Sequence, residues 1–375
     1  MWNKPINISF FILCFSFASD RPGNDRLWEG INAFYSYNFD ESVNILSEVK
    51  VNHPEHPTVH FTWAVSKWLR AQAYDGIDAS YDTLYKALDT IIPVYEHYIK
   101  TIPDEPEYRL YDAASKGLKA RIHLGRKEWL NVILEGINGY TGVFTVHKNN
   151  PELYDSYFPL GILNYYSGNM SGFVRFMSSL VGIQADKDLG LRLINIASKK
   201  GEFAWIESSQ VLVFIYLWMD SDFIKALEIS QLLVDKIPDS IYNQHLLTES
   251  LIRNNKLNFA KKNLKKTYIM VENVPPLLKK SWIPTLNYQE ALLAFYNHDF
   301  NRAMMLSTMS IENFKAELDT PLGFSHLLRG MIYDLMGERK NAVADYRSAI
   351  NLDNHTRAII DAKQYLNRPY VDSIK

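Results

Sequence analysis

From residue 26 onward, apolar residues recur every three or four positions, the spacing that places them along one face of an α-helix. No run of alternating apolar and polar residues between hairpin-turn signals competes with that pattern. Short proline-bearing breaks interrupt it at His53–Pro57, Ile102–Pro106, Asn149–Pro151, Ile237–Asp239, Val274–Pro276 and Asp319–Pro321. Proline lacks an N–H donor and restricts the residue before it, so each break ends one helical pair and starts the next.

Small residues add a second periodicity. Ala342 is followed by Tyr346 and Ala349, and Ala303 by Ser307 and Ser310, with Ala291 facing it from the preceding helix. Ala226 and Ala260 lie 34 residues apart, and Gly30, Phe39 and Ser42 repeat the logic near the start. Two antiparallel helices approach closely only where small side chains meet, and an aromatic residue beside them fills the gap. The spacing predicts about eight hairpins, at 27–51, 59–101, 107–148, 153–200, 204–237, 241–273, 281–317 and 321–352. A last helix over 356–366 closes the stack, with Arg357, Asp361, Lys363 and Gln364 read as the polar outer face of a cap.

The ladder His326-Leu-Leu-Arg-Gly330-Met-Ile-Tyr333, Gly337, Ala342, Tyr346 and Ala349 resembles a tetratricopeptide repeat, with G-x2-Y on its first helix and A-x3-aromatic on its second. The resemblance is clearest over 204–352, is present at 27–57, and implies an all-α fold, a right-handed α-solenoid across 27–366. The central run Pro151–Tyr157, Gly161–Tyr166, Asp186–Ile194 and Ala197–Gly201 is similar to exported bacterial proteins of this repeat class. That likeness implies a soluble scaffold of the cell envelope and transfers no catalytic residue. A helical-hairpin repeat carries no chemistry of its own.

The N-terminus carries an export pattern. A short polar region to Lys4 precedes an apolar run of about 13 residues from Ile6 to Ala18, and Ser16-Phe17-Ala18 supplies a cleavage site. A signal peptide at 1–18 and a periplasmic or secreted mature chain are expected; an uncleaved N-terminal anchor is the alternative. The one cysteine, Cys14, lies in this run behind Leu13, a poor lipidation context, so the mature chain would have no disulfide.

Apolar residues make up 47% of the chain and charged residues 22%, ample for a continuous core, and a net charge of -2 gives no footprint for nucleic acid. The pairs Lys265-Lys266 and Lys279-Lys280 read as solvated helix faces. Inward first-helix positions read Val211, Ile215, Trp218 and Met219, then His245, Glu249, Ile252 and Arg253, then Tyr288, Leu292, Phe295 and Tyr296, then Leu327, Met331, Asp334 and Leu335. The Lys, Asn and Arg set with which such repeats clamp a peptide carboxylate is absent. An aromatic, apolar groove suited to a helix or extended peptide is expected. Its partner-binding candidates are Val211, Ile215, Trp218, Tyr288, Leu292 and Phe295. An insertion over 167–185 adds Phe173 and Phe176 at helical spacing, as packing or as a partner- or lipid-facing lip.

Candidate chemistry is sparse. His53, Glu55, His56 and His60 form the densest ligand-like cluster, but two prolines hold the loop and no second cluster completes a metal site. Neither an H-E-x-x-H nor a phosphate-loop pattern occurs, so no cofactor, metal or catalytic residue is expected. The expected function is a non-enzymatic scaffold binding a protein or peptide. Competing readings are a helical glycan-active enzyme drawing on Asp104, Glu105, Asp155, Glu207 or Glu249, and a glycan-capturing partner of an outer-membrane transporter.

Overall fold

The computed structural model describes residues 21–126, 128–169, 185–316 and 318–372. Among them are seventeen α-helices and no strand. Eight antiparallel pairs follow one another: α1 (Asn24–Tyr35) with α2 (Phe39–Asn52), α3 (Pro57–Tyr74) with α4 (Ile77–Thr101), α5 (Pro106–Gly125) with α6 (Trp129–Asn149), and α7 (Tyr157–Asn169) with α8 (Lys187–Lys200). The series continues with α9 (Trp205–Trp218) and α10 (Phe223–Lys236), α11 (Ile241–Arg253) and α12 (Leu257–Glu272), α13 (Pro276–Tyr296) and α14 (Phe300–Glu312), and α15 (Thr320–Leu335) and α16 (Arg339–Asn351). Then α17 (Arg357–Asn367) packs on α16 and α15. This is the all-α solenoid of successive hairpins that the spacing predicts. The signal expected at 1–18 and residues 170–184 of the insertion, with Phe173 and Phe176, lie outside the described residues.

The small-residue positions are where helices touch. Ala226, Ala260, Ala303 and Ala342 are fully buried. A Cβ on Gly330 would come within 2.5 Å of Tyr346 Cε1, so this glycine lets α16 close on α15. Ser42 takes the alanine's place in the first pair and donates its hydroxyl to the Gly30 carbonyl at 2.8 Å. Prolines start α3, α5 and α13 and sit in the first turn of α15, where a missing N–H costs nothing. Asp186, Ser240 and Asp299 cap the N-termini of α8, α11 and α14. The start expected at 281 falls inside α13, which runs unbroken through Pro284.

The layers follow from the pairing. First helices α9, α11, α13, α15 and α17 pack on one another as an inner layer, with α10, α12, α14 and α16 outside. The stack also turns back on itself. Leu27, Ile31, Leu46 and Val59 of α1–α3 belong to the same apolar core as α9–α17. Trp28 stacks on Phe203 at 5.2 Å, Tyr37 lies 6.3 Å from Trp282, and α3 packs on α13. Helices α3–α8 carry cores of their own between these contacts.

Candidate partner-binding site

The inner layer is not an open groove. Ile215 is buried with Tyr165, Ile194 and Leu212, and half-buried Val211 packs against that cluster. Trp218, Tyr288, Leu292 and Phe295 are at most 3% exposed. Neighbouring repeats cover Ile215, Trp218 and Tyr288, and the C-terminal tail brings Tyr370 to 6.1 Å from Phe295. The first hairpin meets the N-terminal halves of α9, α11 and α13, at Glu207, Tyr242 and Trp282. Large aromatics at inward positions therefore fill space between the chain's own helices.

What stays open is a cavity of about 220 Å³ on the inner side of the last repeats. Tyr288, Leu292 and Phe295 form one wall, Phe223, Phe324 and Met331 line others, and Arg357, Asp361 and Tyr365 of α17 face them. Arg357 and Asp361 thus line the pocket, paired at 2.8 Å one turn apart, and only Lys363 and Gln364 of the expected polar cap face are exposed. Their i, i+4 spacing with Tyr365 was a readable sign that they share one helix face.

Arg253 reaches into this cavity from a buried network. Glu249 Oε1 accepts from Trp218 Nε1 at 2.9 Å, Tyr288 OH at 2.8 Å and Arg253 Nη2 at 3.3 Å. The Arg253 guanidinium lies 5.6 Å from the ring centres of both Phe223 and Phe324. Burial works against its charge, but Tyr288 and Glu249 more than offset it and hold its pKa above the ordinary value. Burial pushes the Tyr288 hydroxyl well up, so it stays protonated as a donor to Glu249. Arg253 Nε is buried without a hydrogen-bond partner, leaving a donor beside the cavity unused. The cavity is an aromatic chamber with Arg253 on one wall and the Arg357–Asp361 pair on another.

The other carboxylates named from sequence are engaged elsewhere. Asp155 accepts from the backbone N–H groups of Phe203 and Ala204 at 3.1 and 3.2 Å and ties the α7 entry to α9. Burial raises its pKa to about 6 against those same bonds. Glu207 accepts from Tyr35 OH of α1, and burial raises it to about 7. Glu105 pairs with Arg21 at 2.9 Å, and Asp104 is exposed. In the proline loop, His60 Nε2 meets the Pro54 carbonyl at 2.6 Å, and His56 Nδ1 caps α3 through Thr58 N–H at 3.3 Å. These two histidines lock a linker in place.

Fold and cavity define an all-α solenoid of helical hairpins with a capped aromatic pocket in its C-terminal half. No family model and no curated protein matches the chain. Among solved structures, the crystal structure of the yeast Tom70 is similar at a TM-score of 0.37 and 9% identity, over 90% of this chain and 88% of that one.

Proposed function

We propose that this protein is a non-enzymatic scaffold that binds a protein or peptide by accepting an apolar or aromatic anchor side chain in the α17-capped pocket. The observation that carries this reading is the 220 Å³ chamber walled by Phe223, Tyr288 and Phe324 with Arg253 at its side. Interface anchors are aromatic or arginine side chains entering desolvated pockets of this kind. The unused Arg253 donor suits a carbonyl or carboxylate next to the anchor. The glycan-hydrolase reading has less support, because two carboxylates must flank a scissile bond and Asp361 is the one acidic residue among those lining the cavity. The apolar run at Ile6–Ala18 supports export to the periplasm or beyond, in a bacterial envelope, with retention as an anchor as the alternative.

The test places a photo-crosslinking amino acid at Met331 in the producing cell and repeats the experiment with Leu327→Trp, which fills the chamber. The reading predicts discrete adducts to one or a few polypeptides that disappear in the filled variant. Adducts indifferent to Leu327→Trp would place the partner elsewhere. Turnover of a glycan panel by the purified chain would replace the scaffold reading. Sequencing the mature N-terminus from fractionated cells tests export separately.

A further inference from the structure

Charge in this chain is segregated far more than a net value of -2 suggests. Between residues 256 and 280 stand seven lysines and a single acidic residue, Glu272, which pairs with Lys279. Helix α12 carries four of those lysines, Lys261, Lys262, Lys265 and Lys266, with Lys256 at its N-cap, and all five are exposed on the outer layer. Its inner face is conventional: Ala260, Leu264, Thr267 and Val271 are buried against the neighbouring helices. The outer face is not. Phe259 is 67% exposed and Ile269 58% exposed. At 100° per residue, Phe259, Lys262, Lys266 and Ile269 fall within about 80° of arc, and Lys265 and Lys261 follow about 40° and 80° beyond Ile269 with Glu272 between them. Exposed apolar side chains also occur on the outer helices α10 and α14, at Ile224 and Met305, but on α12 they stand among four lysines. Leu277, at the start of α13, is also exposed.

From this placement we infer that the outer face of α12 docks on an anionic membrane surface. Lysines meet lipid phosphates while Phe259 and Ile269 enter the boundary between headgroups and acyl chains, as in helices that lie in an interface. Charge complementarity selects the anionic surface, and the exposed apolar pair selects lipid over nucleic acid, whose phosphates need only the cations. Among the described residues no helix is long and apolar enough to cross a membrane, so the contact is peripheral. The face lies on the outer layer, opposite the inner-layer pocket, so membrane and partner can be held together.

The experiment is flotation of the full chain with phosphatidylcholine vesicles, with and without 30% phosphatidylglycerol, at low and at elevated salt. Three proteins are compared: the native chain, K262E/K266E and F259S/I269S. All three share the N-terminal apolar run, so their differences report the α12 face alone. Each altered side chain is exposed, and circular dichroism checks that the fold is kept. The expected result is binding that needs phosphatidylglycerol, weakens with salt, and falls at least about tenfold on charge reversal. F259S/I269S should also weaken binding, about fivefold or more, while keeping the salt dependence. Equal phosphatidylglycerol-dependent binding by all three proteins would overturn the inference. So would absence of phosphatidylglycerol-dependent binding at low salt, or capture of an oligonucleotide by a chain that ignores vesicles.

Discussion

At the scale of single residues, the turn inside each clear hairpin has one conformational demand met by different side chains. Tyr37, Ser221, Asn255, His298 and Gly337 occupy the same place between first and second helix, all with positive φ. Only Gly337 meets the demand without strain, since a Cβ in the left-handed region costs about 1–2 kcal/mol and asparagine less. Asn255→Ala should therefore destabilise the protein by about 1 kcal/mol while Asn255→Gly is neutral or better, read from urea midpoints. Equal midpoints for the two would show that the turn relaxes. Gly330 makes the opposite demand, for space. Tyr346 cannot retreat from a new Cβ, because its hydroxyl donates to Asp334 Oδ2 at 2.8 Å and its ring packs on Tyr365. Gly330→Ala should cost about 1–3 kcal/mol, and an unchanged thermal midpoint would contradict the packing described. Gly330 is legible in the sequence because glycine inside a helix is costly and needs a packing reason. Tyr37, Ser221 and His298 are not, because tyrosine, serine and histidine advertise no left-handed conformation.

Single pairs of helices were readable from sequence because each is stabilised locally, by small residues in register and by caps. The contacts that tie one pair to a distant one had no periodic trace. Tyr35 and Glu207 belong to α1 and α9, and only the fold brings them together. Burial places the Glu207 pKa at about 7 against 4.5 in the ordinary carboxyl. With the folded pKa raised, the proton favours folding. The contribution is complete below about 4.5, declines as pH rises through 4.5 to 7, and is gone above that window. His56, lowered to about 4 by burial, works in the opposite sense: its contribution is present above 6.5 and lost as pH falls toward 4. The total pH profile therefore mixes both signs, and a difference measurement separates them. Going from pH 7.5 to 5.5, the native chain should gain about 1 kcal/mol relative to Glu207→Gln, with partial solvent access reducing the full linkage value. Urea titrations of both proteins at the two pH values check it, and parallel shifts would remove Glu207 from the account.

For the whole molecule, the consequential feature is that the array is not one-dimensional. In an open solenoid each repeat contacts only its neighbours, so removing the first one costs its own stability and one interface. Here α1 and α2 share a core with α9–α17, and Trp28, Tyr35 and Tyr37 reach Phe203, Glu207 and Trp282. Packing between neighbouring repeats, with the tail at Tyr370, explains why the inward residues Ile215, Trp218, Tyr288, Leu292 and Phe295 could be recognised as a set and still not form a free surface. Periodicity shows which face of a helix is apolar, but not whether a neighbour, a distant hairpin or a partner covers it. Deleting residues 24–52 should therefore loosen helices far along the chain. Amide hydrogen exchange is expected to accelerate in α11 and α13, and their protection should fall by at least about tenfold, because the aromatic contacts that cover Tyr242 and Trp282 are gone. The milder Tyr37→Ser should move the same helices in the same direction without removing a repeat. If faster exchange in both variants stays within α3 and α4, the ends do not stabilise each other in solution.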